Sequence, residues 1–239
     1  FASLSTSLST RRRSALVAAS SRAISSARSL DETRNSSTPA SARYMRPAAL
    51  ILGLGGSTAM ALEVGNGDWA AFRLTEGFDS GAGVASAAFL LMTIGMTTGR
   101  LAGDWVQVRT GSMRLRRLGV AVSGVGSVLA TLVPVEAVSL AGFLVAGLST
   151  SVLFPQLYDQ AARLPGPPGS GFAAMLIGQR STGIFVPLII GALADTAVFG
   201  VGGAMAVVLV PAAIIGLAIT YAGSATPPVR SPVPVAPSP

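Results

Sequence analysis

Apolar residues run along most of this chain in blocks of roughly 20, without the polar interruptions of soluble elements. A membrane-crossing helix needs about 20 mostly apolar residues. Six segments approach that length: Pro47–Asn66, Ala82–Gly103, Leu118–Val135, Ala137–Leu157, Gly171–Ala194 and Val198–Ala222. Short polar or Gly/Pro-rich links separate them, the sharpest being Leu164-Pro-Gly-Pro-Pro-Gly169, a strong helix breaker. No segment alternates with period two, which argues against a membrane barrel. Six such runs also leave no amphipathic helices to cover them in water. The pattern predicts an all-α integral membrane protein whose six transmembrane helices occupy residues 47–222.

Composition agrees. Of 239 residues, 50% are hydrophobic and 11% charged, against about 25% charged in a soluble domain. Cys and His are absent. That removes disulfides, thiolate nucleophiles, imidazole bases and the commonest metal ligands. Neither a cofactor nor a metal is expected. All 17 basic residues are Arg, and the net charge is +7. In a soluble protein this excess would suggest a nucleic-acid partner, but its placement points elsewhere, and no nucleic acid is expected.

Residues 1–46 hold eight of the arginines among Ser and Ala, with Asp31 and Glu32 the only acids. The stretch reads as disordered. Its composition fits an organellar transit peptide, a basic cytoplasmic linker before a membrane domain, or sequence upstream of a start at Met45. A Pro-rich tail, 223–239, closes the chain, also read as disordered.

With six spans, alternate links share a side. One side receives Arg46, Arg109, Arg114, Arg116, Arg117, Arg163 and Arg230, and the other only Arg73. The arginine-rich side is expected to be cytoplasmic, with both termini on it. The membrane would be a plasma or inner membrane, or an organellar one if 1–46 is a transit peptide.

The end of the second span carries the chemistry. Gly95, Gly99 and Gly103 recur every four residues on one helix face, a spacing that lets membrane helices approach closely. Arg100 and Asp104 are four apart and can pair. Arg109, Gly111 and the arginines at 114, 116 and 117 come next. The group reads as an anchoring loop with a packing face, or as a charged latch between two helix bundles.

The run Gly99-Arg-Leu-Ala-Gly103-Asp104, then Arg109-Thr-Gly111, resembles the cytoplasmic-loop signature that follows the second helix of each half of the major facilitator superfamily (MFS). It departs from the common form. Gly99 and Asp104 are five apart, Trp105 stands where a basic residue is usual, and the closing Gly is delayed to 111. That form is similar to the longer variant of the YbjJ-like branch. Glu63-Val-Gly-Asn-Gly-Asp68-Trp69-Ala-Ala-Phe72 resembles the end of the first helix of that family's second half. Gly183-Ile-Phe-Val-Pro187-Leu-Ile-Ile-Gly191-Ala-Leu-Ala-Asp195 resembles the end of its penultimate helix. The resemblance covers about residues 47–222. It implies one half, the carboxy-terminal six helices, of a twelve-helix transporter.

Arg180 lies about 14 Å into the fifth span, near the midplane. A charge there is costly and usually marks a substrate or ion pathway; the alternative is snorkelling to the headgroups. Gln179 precedes it. Glu63, about 24 Å into the first span, is the natural acidic partner, although the two depths differ by about 10 Å. By itself Glu63 could serve as a protonatable coupling site. Pro187, between Gly183 and Gly191, is the candidate gating bend.

The expected function is secondary active transport of a small solute by alternating access. The expected partners are the lipid bilayer, the solute, a coupling proton and a second six-helix bundle, either the missing half or another copy. The alternative is a non-transporting six-helix scaffold, or an independent half-transporter that dimerises. An intramembrane enzyme would need paired carboxylates, and Asp159 and Asp195 fall at opposite sides of the predicted topology.

Overall fold

The computed structural model describes residues 39–222, apart from 165, 166 and 197. Contacts divide the chain into Phe1–Met45 and Arg46–Pro239, and all six spans belong to the second unit. Among the described residues, eight helices run in order: α1 Pro39–Gly67, α2 Ala70–Phe78, α3 Ala82–Thr110, α4 Ser112–Leu132, α5 Glu136–Thr150, α6 Leu153–Ala162, α7 Ser170–Ala194 and α8 Gly200–Ala222. Six stretches are long and apolar enough to cross a membrane: Pro47–Gly67, Ala82–Thr110, Ser112–Leu132, Glu136–Ala162, Ser170–Ala194 and Gly200–Ala222. The protein is all-α, a multi-pass membrane protein with spans where the apolar blocks predict them. Helix α1 starts at Pro39, within the stretch read as disordered. The remainder of that stretch, 1–38, and the tail 223–239 with Arg230 lie outside the described residues.

Three local departures have physical causes. The link expected between the second and third spans shrinks to Gly111. Arg109 sits in the last turn of α3, and Arg114, Arg116 and Arg117 sit in the first turns of α4. Arginine is a good helix former, so helix persists after hydropathy fades. Gly111 reverses the chain alone because its φ of 79° and ψ of 149° lie in a region open essentially to glycine.

The fourth span divides into α5 and α6 at Ser151–Val152. Pro155 has no N–H to give the Ser151 carbonyl, and its ring crowds that carbonyl. A new helix starting at Leu153 puts Pro155 in the first turn, where the missing donor costs nothing. The link after the first span holds the unpredicted helix α2. Ala70 and Leu74 are buried, with Phe78 partly buried against the same core. Their four-residue spacing makes one apolar stripe, which Arg73 and Glu76 hide from a hydropathy reading.

Glycine carries most of the helix packing. A methyl group on Gly95 would strike the Leu144 and Leu148 backbone; on Gly99, Leu148 and the Ser151 hydroxyl; on Gly103, the Val152 side chain. The three-glycine face of α3 thus lies against α5 and the break after it. Gly126 and Gly142 bring α4 and α5 equally close. Buried polar side chains cross-link the spans, a recognised source of cohesion in lipid. Asn66 donates to the Leu62 carbonyl at 2.7 Å and to Ser127 Oγ at 2.8 Å, and Ser123 and Thr150 share a hydrogen bond of 2.8 Å.

Candidate functional site

Helices α1 and α7 run parallel in close contact, and their glycines fix a register. Gly53 lies beside Ala174 and Gly178, Gly183 beside Met60, Gly65 beside Ile190, and Gly191 beside Trp69. Arg180 is therefore level with about Ser57, and Glu63 with about Pro187. At 1.5 Å per residue the two charges are about 9 Å apart in depth. This matches the offset of about 10 Å read from the sequence, and among the described residues no ion pair joins Glu63 to Arg180.

Glu63 Oε2 and Gln179 Oε1 are both buried without a hydrogen-bond partner. Arg180, one residue from Gln179, is exposed. Only 17% of the apolar window of α7 is buried, the least of the six spans, and α3 is next at 28%. Arg100 and Asp104 are exposed on α3. Helices α3 and α7 thus carry Arg100, Asp104 and Arg180 on surfaces with little protein over them, while the Glu63 and Gln179 oxygens are enclosed. Chemically they offer a carboxylate able to take up a proton, an amide and two guanidinium cations.

The expected Arg100–Asp104 pair does not form. Among the described residues the one ion pair is Arg163–Asp159, 2.9 Å apart and largely exposed. Arg109 instead stacks on Trp105, its guanidinium 3.6 Å from the ring centroid. The residue that departs from the usual basic position therefore supplies a π face to a cation one turn later.

Pro187 lies inside an unbroken α7. Its missing N–H leaves the Gly183 carbonyl, four residues earlier, without the usual helical donor. This is where the helix is weakest against bending. Gly183 packs against Met60 of α1, and Gly191 against Trp69 in the link that follows α1.

Two polar arrangements are not evident from the sequence. One is a clasp at the arginine-rich end. Gln156 on α6 donates to Gln107 Oε1 on α3 at 2.6 Å and accepts from Ser112 Oγ. One turn on, Gln160 accepts from Arg116. Three spans are tied together within the bundle. Two glutamines four residues apart in an apolar span were the available signal.

The other is Arg73. It is 7% exposed and donates from Nε to the Ala130 carbonyl at 3.3 Å and from Nη2 to Val133 at 3.5 Å. Its guanidinium lies 4.3 Å from the Phe78 ring centroid. It covers carbonyls left over at the end of α4, where the helix dipole favours a cation. The one arginine on the arginine-poor side is thus built into the bundle rather than displayed at the membrane surface. The chain matches no protein-family model and no curated protein.

Proposed function

We propose that this chain is the carboxy-terminal half of an MFS-type secondary transporter of the YbjJ-like kind, moving a small solute by alternating access. The reading rests on Arg180. An arginine about 15 Å from the start of α7 and exposed cannot face lipid cheaply. Its face therefore needs water, a solute or a second bundle against it. The least-buried spans, α3 and α7, are the ones that bring Arg100, Asp104 and Arg180 to their surfaces, with Gln179 half-buried beside Arg180. A partner six-helix bundle facing them would enclose a central polar site between two rocking halves. Arg180 and Gln179 would contact the solute, Glu63 would carry a coupling proton, and Pro187 would give way as the site changes sides. The termini would lie on the arginine-rich, cytoplasmic side.

This chain holds no cysteine, so Ser181→Cys, with any cysteine of the other half replaced, gives a clean reporter beside Arg180. In sealed vesicles carrying the whole protein, a membrane-impermeant maleimide should label it from either side, at unequal rates. Labelling by a lipid-soluble maleimide alone would place this face in the bilayer and end the proposal. Transport should also be lost in Arg180→Ala and Asp104→Ala. Unchanged transport in both would remove the roles given to them.

A further inference from the structure

We propose that the arginine-rich end of the bundle holds a binding site for one anionic phospholipid, with its phosphate on Arg116 and an acyl chain in the cleft beneath. The inference needs only the six spans and is independent of transport. The cleft opens among the first, third, fourth and sixth spans. Its polar end is formed by Arg116, Gln160 and Thr220, and its walls by Ile51, Val120, Leu157 and Ile219. Arg116 stands four residues into α4, about 6 Å inside the span, where headgroups meet hydrocarbon.

Its existing bonds do not neutralise it. One terminal nitrogen donates to Gln160 Oε1 and the other to Met113 Sδ at 3.1 Å, both neutral acceptors. Nε is buried without a hydrogen-bond partner. Among the described residues, no carboxylate lines the cleft. The surroundings add positive charge: Arg114 and Arg117 share the same turns, and the start of α4 is the positive end of its dipole. The nearby Asp159 is already paired with Arg163.

A half-buried cation with a spare donor, among like charges and without an acid, calls for an anion. Phosphate oxygens suit a guanidinium especially well. The walls identify the source of that phosphate. A free phosphate gains nothing from Ile51, Val120, Leu157 and Ile219, whereas an acyl chain gains about 0.8 kcal/mol per buried methylene. Basic pockets between membrane helices bind anionic headgroups on this principle.

The test uses the full chain in detergent, with lipid retention read by native mass spectrometry and melting temperature. Added phosphatidylglycerol should bind at one per chain and raise the melting temperature, while phosphatidylcholine and inorganic phosphate should do neither. Arg116→Gln should weaken phosphatidylglycerol binding at least tenfold, as loss of a charged hydrogen bond implies. Ile219→Trp, which fills the cleft and keeps the charge, should weaken it comparably. Arg114→Gln, on an exposed side chain outside the cleft, should change it by less than about twofold. Helical content and elution volume establish that each variant is folded. Equal binding of phosphatidylcholine, competition by inorganic phosphate, undiminished binding in folded Arg116→Gln, or an equal loss in Arg114→Gln would each overturn the proposal.

Discussion

Gly99→Val should lower the stability of the bundle by about 3 kcal/mol or more, the upper part of the range for overpacking. The added methyls would enter a contact where α3 rests directly on the Leu148 carbonyl and the Ser151 hydroxyl. The Ser151 hydroxyl could turn away, but the Leu148 carbonyl is backbone and cannot. Relief requires α3 and α5 to separate, and these two helices pack against each other extensively. In lipid there is no hydrophobic drive to restore the contact, so close packing is itself the source of cohesion.

Gly83→Ala provides the control. It lies in the same helix with nothing within 4 Å of the added methyl. Removing a helical glycine there should stabilise by up to about 1 kcal/mol. Thermal unfolding in detergent should separate the variants by at least about 6 °C, since 1 kcal/mol moves a domain of this size by about 2–4 °C. Equal melting of both variants would mean that the small-residue face does not hold the spans together.

Gly95, Gly99 and Gly103 belong to the part of this fold that is legible in the sequence. Their spacing specifies a face, and the helix that meets it sits there. The spans are legible too, because apolar length is a local property. Helix ends are not. Arg109, Arg114, Arg116 and Arg117 look like a loop because charge lowers hydropathy, yet arginine does not interrupt a helix and only Gly111 turns the chain. Pro155 is visible, but whether it ends, kinks or restarts a helix depends on where the break can fall.

The candidate site is legible as residues and not as partners. Glu63, Arg100 and Arg180 stand out in any apolar span. The relative depth of Glu63 and Arg180 depends on helix register, which Gly53, Met60, Gly183 and Ile190 set through packing between distant segments. The Arg100–Asp104 spacing permits a pair, but spacing alone cannot say that both side chains lie at an open surface. Arg73 is the hardest to read. Counted as a loop charge, it is the single mark against a clean topology, and only the fold reveals it as a helix cap.

Arg73→Met should be the most damaging single exchange at the arginine-poor end. The guanidinium makes two hydrogen bonds to carbonyls three residues apart and lies against Phe78. Hydrogen bonds to charged groups contribute about 1.5–3 kcal/mol each. At 3.3 and 3.5 Å these two belong at the weak end, giving about 3 kcal/mol together with the ring contact. Burying an arginine opposes this, and replacing a buried charge by an apolar group can be neutral. Two observations decide the sign. Val133 would lose its donor, and the guanidinium sits where the α4 dipole favours a cation.

Arg73→Lys keeps the charge but has no planar fork to reach both carbonyls, so it should recover less than half of the loss. Gly202→Ala makes the sharper test. A methyl group there would come within 2.9 Å of Arg73 Nε and against the Thr131 carbonyl, pushing the guanidinium off its carbonyls while leaving every charge in place. Gly202→Ala alone should therefore destabilise at least as much as Arg73→Met, because the Thr131 carbonyl must also give way. The double variant should lose little more than Gly202→Ala alone, because one interaction cannot be removed twice. Losses that add within about 0.5 kcal/mol would be those of independent sites, and Arg73 would then be a tolerated charge rather than the cap that closes α4.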